Sequence, residues 1–225
     1  MSLFNSANTP CPVCGTVKTF DLVASVNADR RPDLREAILA GLFQKQACDH
    51  CGCLFRPPPR LVYLDVGRGR WIMVGSSEDA DDWTGFEALA RSAFDKAFGR
   101  LAPYAAQSIG AALRARATFG WGGLLEKLLC DEHGLDDVEI ELLKLAVLRS
   151  VSNPPLDEDM ELRVVEVADD QLVLAWIDPA DERSIGVLRV PRTTYDELVA
   201  EHDLWQPLRD DLATVLYVDF NRFLV

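Results

Sequence analysis

Cys11-Pro12-Val13-Cys14-Gly15 is followed, thirty-three residues later, by Cys48-Asp49-His50-Cys51-Gly52. Each is a CxxCG turn, in which a tight backbone loop aims two sulfurs at one point and a glycine without Cβ relieves the turn after the second cysteine. Two such turns offer four soft ligands to a tetrahedral ion at metal–sulfur distances of about 2.3 Å, the donor set of a closed, structural zinc site. The interval exceeds the roughly 15–20 residues of a minimal ribbon. The sequence between the turns accounts for the excess: Pro32 suits a first helical position, Leu34, Ile38 and Leu42 recur at helical spacing, and Gly41 stands near the stop. The spacing predicts a ribbon with a short inserted helix, and Cys11, Cys14, Cys48 and Cys51 as one ligand set.

Other readings of these residues stay open. A redox CxxC needs only one pair and normally sits at a helix start inside a βαβ pattern, which this chain lacks. Iron fits the same four sulfurs as zinc. Cys53 extends the second turn to CxxCxC, but strand alternation points it away from Cys51. Cys130 stands beside Leu128 and Leu129 and reads as a buried core thiol. His50 and His133 read as a solvated and a helix-end side chain.

Outward from the cysteines, polar breaks at Ser76–Asp82 and Ser152–Asp159 divide the chain into residues 1–75, 76–151 and 152–225. The first zone carries strand-like runs at Thr16–Val26, Leu54–Arg56, Leu61–Val66 and Arg70–Val74, the last two joined at Gly67-Arg68-Gly69. The second is expected to be helical. Phe86, Leu89, Ala90, Ala93, Phe94, Ala97 and Phe98 form one apolar stripe; a helix spans Leu124–Cys130; and Asp136 with Glu139 caps a further one. Gly120-Trp121-Gly122-Gly123 reads as a helix-to-helix corner. The third zone alternates with period two over Leu162–Val167, Leu172–Ile177 and Ile185–Val190, an antiparallel meander. Thr194 with Glu197 opens a capped helix, and Ala213–Asp219 reads as a strand. The fold class expected is α+β, with the second and third zones free to pack as one body.

With 225 residues, 48% hydrophobic and 26% charged, the chain has the composition of a self-sufficient globular protein. No apolar run is long enough to span a membrane, and the opening residues lack a signal peptide's pattern, so a cytoplasmic location is expected. Six cysteines in a reducing compartment favour metal over disulfides. The net charge of −13 is uneven: residues 1–75 hold nine Lys and Arg against six Asp and Glu, the remainder fourteen against thirty. Arg56, Arg60, Arg68 and Arg70, near Phe55, Tyr63 and Trp71, could line one face of the ribbon for nucleic acid, or simply form a solvated rim. Neither a nucleophile elbow, a phosphate loop, a dinucleotide-binding turn nor an HExxH pair is present.

The same residues resemble a known family, the bacterial proteins named for the CpXC motif. The likeness runs through the first cysteine turn, Ser25-Val26-Asn27, Pro32-Asp33-Leu34 with Ile38-Leu39-Ala40-Gly41, then Cys48–Gly52 and Leu61-Val62-Tyr63-Leu64-Asp65. Gly134-Leu135-Asp136-Asp137 with Ile140–Lys144 resembles the helical segment that follows. The second pair lacks the motif's proline, which stiffens the turn but supplies no ligand. The resemblance implies paired cysteines binding metal at Cys11, Cys14, Cys48 and Cys51, and implies no reaction. Three functions are then in contention: a non-enzymatic zinc protein serving as an interaction or regulatory module, with a protein partner that its acidity would suit if basic; a nucleic-acid binder; and an enzyme of unrecognised type.

Overall fold

The computed structural model describes residues 4–151, 154, 160–180 and 182–223. Two hairpins carry the cysteine turns: β1 (Phe4–Pro10) with β2 (Val17–Val23), and the short β4 (Gln46–Ala47) with β5 (Leu54–Phe55). Between them lie β3 (Ser25–Asn27) and α1 (Pro32–Leu39). Pro32 occupies the first turn of α1, where its missing N–H is not needed. Gly41, at φ +68°, closes the helix: the Gly41 N–H donates to the Ile38 carbonyl and the Leu42 N–H to the Ala37 carbonyl, both at 2.9 Å. The inserted helix is therefore real but ends before Leu42, which is exposed.

The body is built on a mixed sheet in the order β3-β6-β7-β8, with β6 (Leu61–Asp65) and β7 (Arg70–Gly75) forming the expected hairpin and β8 (Arg114–Phe119) running parallel to β7. Alternation along the strands sends Leu61, Tyr63, Ile72 and Val74 to one face, where they meet Ile38 and Phe43 with Trp121, Leu124 and Leu128 of α4 (Gly120–Glu132). Trp71, Ala117 and Phe119 point the other way, under Phe86, Ala90, Phe94 and Phe98 of α2 (Trp83–Phe98). Leu89 and Ala97, counted in the apolar stripe of that helix, are exposed. α3 (Tyr104–Gly110) completes the crossover from β7 to β8. The break at Ser76–Asp82 is a 3-10 turn closed by a capping box, the Ser76 N–H donating to Asp79 at 2.8 Å.

The third body of side chains gathers α5 (Asp137–Ser150) and an antiparallel sheet, β11-β10-β9, made of β9 (Glu161–Val167), β10 (Gln171–Asp178) and β11 (Arg183–Pro191). Over it lie α6 (Arg192–Ala200) and α7 (His202–Ala213), whose Tyr195, Leu198, Trp205 and Leu212 are buried. The break at Ser152–Asp159 lies outside the described residues except for Pro154.

Four expectations need correction. The middle zone is helical but also contains β8, so Gly120–Gly123 opens α4 directly from a strand and is not a corner between helices. Asp136 does cap α5, accepting from the Val138 N–H at 2.8 Å, but Glu139 reaches away to Arg209 at 2.6 and 3.0 Å. α6 begins at Arg192 behind Pro191, two residues before Thr194. Instead of a strand over Ala213–Asp219, α7 runs to Ala213 and the following residues make one isolated bridge, Tyr217 to Ala117.

Charged side chains fill the seam between α4, α5 and β9. Lys144 Nζ, fully buried, lies 2.6 Å from Glu126 and 2.9 Å from Glu141; Arg163 meets Asp219 at 2.6 Å and Glu126 at 3.3 Å. Burial pushes the Glu141 carboxyl up to about 7, with Asp219 and Glu126 adding to the rise against the pull of Lys144. Asp137, despite its own burial, is held well below the usual range by Lys127 and Arg116. A carboxyl raised on folding contributes stability below its unfolded value near 4.5, and that contribution is lost as pH rises through about 7. Carboxylates held low, such as Asp137, act in the opposite sense and only under acid. The stability difference between the parent and Glu141→Gln in urea should therefore fall by about 2 kcal/mol between pH 5.5 and 8, and a difference constant with pH would assign the raised titration to another group.

Candidate metal centre

The two cysteine turns are copies at the level of the backbone. In the first, the Cys11 N–H donates to the Thr16 carbonyl at 2.9 Å and the Gly15 N–H to the Cys11 carbonyl at 2.9 Å. In the second, the Cys48 N–H donates to the Cys53 carbonyl at 2.8 Å and the Gly52 N–H to the Cys48 carbonyl at 3.0 Å. Gly15 and Gly52 take nearly the same positive φ, 72° and 73°, a region costly to any residue with a Cβ. Each hairpin thus presents one buried cysteine, Cys11 or Cys48, and one nearer the surface, Cys14 or Cys51.

Facing each other, the hairpins bring all four sulfurs within 4.8 Å, Cys11 lying 3.6 Å from Cys51 and Cys14 3.6 Å from Cys48. A disulfide would need about 2.05 Å. A tetrahedron of thiolates about 2.3 Å from a central ion has edges of about 3.8 Å, so the cage has the size such an ion requires. The contacts run between the turns, crosswise, which is how four ligands from two hairpins close round one point. Beneath them Phe20 packs edge-on against Phe55, ring centroids 5.1 Å apart, and Lys18 pairs with Asp49 at 2.8 Å across the hairpins.

The thiols respond to one another. Cys14 is drawn down to about 6, first by its contact with the Thr16 hydroxyl and next by a backbone hydrogen bond from Thr16. Cys51 is pushed up to about 12: a backbone hydrogen bond from Cys53 favours its thiolate, but burial and the contacts with Cys14, Cys11 and Cys48 outweigh that. Four sulfurs this close cannot all ionise without a cation among them.

Cys53 is half-buried with its Sγ 3.6 Å from the Leu54 carbonyl and stands outside the cluster. Cys130 is buried in α4, where the apolar surroundings push its thiol up. His50 and His133 are exposed and also stand outside it. Among the described residues, the four cysteines are the one group of His, Cys, Asp or Glu side chains arranged to hold an ion.

The four arginines do not form a shared face. Arg56 makes a two-pronged pair with Glu182 at 2.6 and 2.7 Å and lies 4.3 Å over the Trp121 ring. Arg70 pairs with Asp131 at 2.6 Å. Arg60 meets Asp79 at 3.1 Å at one end of β6, and Arg68 meets Asp65 at 3.5 Å beyond the other. A second basic row escaped the sequence reading: Arg114 and Arg116 on β8, bound to Asp136 and Asp137. Their alternation with Ala115 and Ala117 was the available signal.

Fold and site together define a protein in which twin cysteine hairpins, bound to a mixed α+β body, enclose a four-sulfur cage of metal-binding type. The chain belongs to the CpXC protein family, whose model matches residues 9–144, from just before the first cysteine turn to Lys144 of α5. No curated protein and no solved structure matches it. The sheet β9–β11 with α6 and α7 lies beyond the matched stretch. No described helix is long and apolar enough to cross a membrane.

Proposed function

We propose that this is a non-enzymatic intracellular protein holding one structural zinc at Cys11, Cys14, Cys48 and Cys51, and serving as an interaction or regulatory module. The four-sulfur cage carries the reading: a site closed by four protein thiolates has no open position for a substrate or water. Mononuclear iron accepts the same tetrahedral set of four thiolates at the same size, so zinc is the metal proposed and elemental analysis separates the two. The excess of acidic side chains beyond residue 75 suits a basic protein partner, because opposed fields speed encounter. Elemental analysis of the purified chain should return about one zinc per chain, and Cys48→Ser should return none. A chain isolated without metal and with reactive thiols would promote the redox dithiol; one iron per chain would replace zinc.

The nucleic-acid reading has less support, since Arg56, Arg60, Arg68 and Arg70 are each engaged by a carboxylate of the chain itself. An enzymatic reading has less again: the depression along α2 near Trp83, Glu87, Arg91 and Asp95 is an open trough.

A further inference from the structure

Between α2 and α3 the chain turns through Gly99–Pro103 and holds apolar side chains out in solvent. Leu101 is fully exposed and Tyr104 is 84% exposed, while Ala102 between them is buried. α3 continues the pattern: Tyr104, Ala105, Ser108 and Ile109 share one face of the helix, and all four are exposed. Leu101, Tyr104, Ala105 and Ile109 thus make an apolar face that no described residue covers. The elbow keeps this shape through its own backbone. The Gly99 N–H donates to the Asp95 carbonyl at 2.8 Å, the Ala102 N–H to the Gly99 carbonyl at 2.9 Å, and Gln107 Nε2 reaches back to the Ala102 carbonyl at 2.8 Å. Gly110 seats α3 on α2, since a Cβ there would run into the Phe98 side chain.

Charge sets the elbow apart from its surroundings. In a chain of net charge −13, residues 96–125 contain no Asp or Glu and four cations: Lys96, Arg100, Arg114 and Arg116. Arg114 and Arg116 are bound to Asp136 and Asp137. Lys96, in the last turn of α2, and Arg100, next to Leu101, are exposed and make no ion pair among the described residues. An exposed apolar face rimmed by polar groups is the usual form of an interaction site.

We infer that the elbow between α2 and α3, with Leu101, Tyr104 and Ile109 rimmed by Lys96 and Arg100, docks a segment of a partner protein that carries large apolar side chains beside Asp or Glu. The two unpaired cations choose among occupants. A second copy meeting this face through a two-fold axis would bring the same two cations against them. An anionic membrane would attract the cations but repel the acidic remainder, fourteen Lys and Arg against thirty Asp and Glu beyond residue 75. An acidic, apolar segment satisfies both the face and its rim. The inference rests on the interaction reading above and gives that module one surface; a basic partner drawn by the overall charge would sit on another.

The test is to pan the full, metal-loaded chain against a displayed library of random twelve-residue peptides and to synthesise the enriched sequences. They should pair large apolar residues with net negative charge, and Leu101→Ser or Tyr104→Ser should weaken their binding by about tenfold or more. Both side chains stand in solvent, so these variants should melt with the parent. Lys96→Glu combined with Arg100→Glu should turn the selection towards basic peptides. Enriched peptides that are neutral or basic in the parent, or that bind all variants alike, would overturn the inference and leave the interaction reading standing; no enrichment on any face would sink both. A dimer in sedimentation that Tyr104→Ser dissolves would give the face to a second copy. Flotation with phosphatidylglycerol–phosphatidylcholine vesicles, lost in the same variant, would give it to lipid. Either result also overturns the inference.

Discussion

Serine at Cys14 or at Cys48 should abolish metal loading and unfold both cysteine hairpins while leaving the body folded. The apolar support of the hairpins is small: Phe20 and Phe55 with Cys11 and Cys48, and Leu22 and Cys53 at the margin. So few apolar contacts leave the hairpins dependent on a bound ion, for which structural sites in small domains give on the order of 10 to 16 kcal/mol of apparent binding free energy. The other three clusters of buried side chains contain none of the four cysteines. Exchange protection should therefore vanish at the amides of Cys11, Gly15, Cys48 and Gly52, with little change along β6 and β7. Cys130→Ser makes the control: it should lower the stability of the body by about 1–3 kcal/mol, the cost of a buried hydroxyl without a matched partner, and keep the metal. Metal loss in Cys130→Ser would show the ligand set to be wrong.

Replacing Lys144 by methionine should be the most damaging single change in the body. Its ammonium, wholly buried, is shared by Glu126 and Glu141, and Asp219 lies in the same network. Without it these carboxylates face one another across a dry seam with only Arg163 and Lys127 as counter-charges. Removing one partner of a buried pair costs about 3–5 kcal/mol. Since whole proteins hold about 5–15 kcal/mol and a chain of this length shifts by roughly 2–4 °C per kcal/mol, the melting temperature should fall by about 10 °C. Lys144→Met combined with Glu141→Gln should recover part of the loss. A Lys144→Met protein as stable as the parent would mean that the seam is hydrated enough to tolerate a missing cation. Zinc content should be unchanged in either variant.

The cysteine turns, α1, the β6–β7 hairpin and the β9–β11 meander were legible because each depends on a local pattern: a CxxCG turn, a proline start with a glycine stop, or alternation with period two. What the sequence hid was structure held together by distant charges. In β8 the residues facing α4 and α5 are Arg114 and Arg116, which no hydrophobic pattern would place inside, and they are admitted only because Asp136 and Asp137 arrive from more than twenty residues away. α7 was obscured by Pro207 in its interior, although Trp205, Leu208 and Leu212 keep helical spacing around it. The segment 215–220 resembled a strand because it is apolar, yet it bends at Leu216 and enters a 3-10 turn at Phe220, and side chains hold three of its backbone groups. For the cage, the spacing singled out the four cysteines; the crosswise approach of the two hairpins could come only from the fold.

Seen as polymer topology, an ion in the four-sulfur cage is a crosslink joining the chain at two points thirty-three residues apart, and β3 and α1 lie inside the loop it closes. Closing a loop of that length removes on the order of 4 kcal/mol of entropy from the unfolded ensemble, by the relation used for covalent bridges. β3 is also hydrogen-bonded to β6, so the loop is pinned to the central sheet from within. An ion held there would act on residues it does not touch: its release would lengthen the free excursions of β3 and α1 in the unfolded chain and lower the chance that the sheet's first parallel pair re-forms.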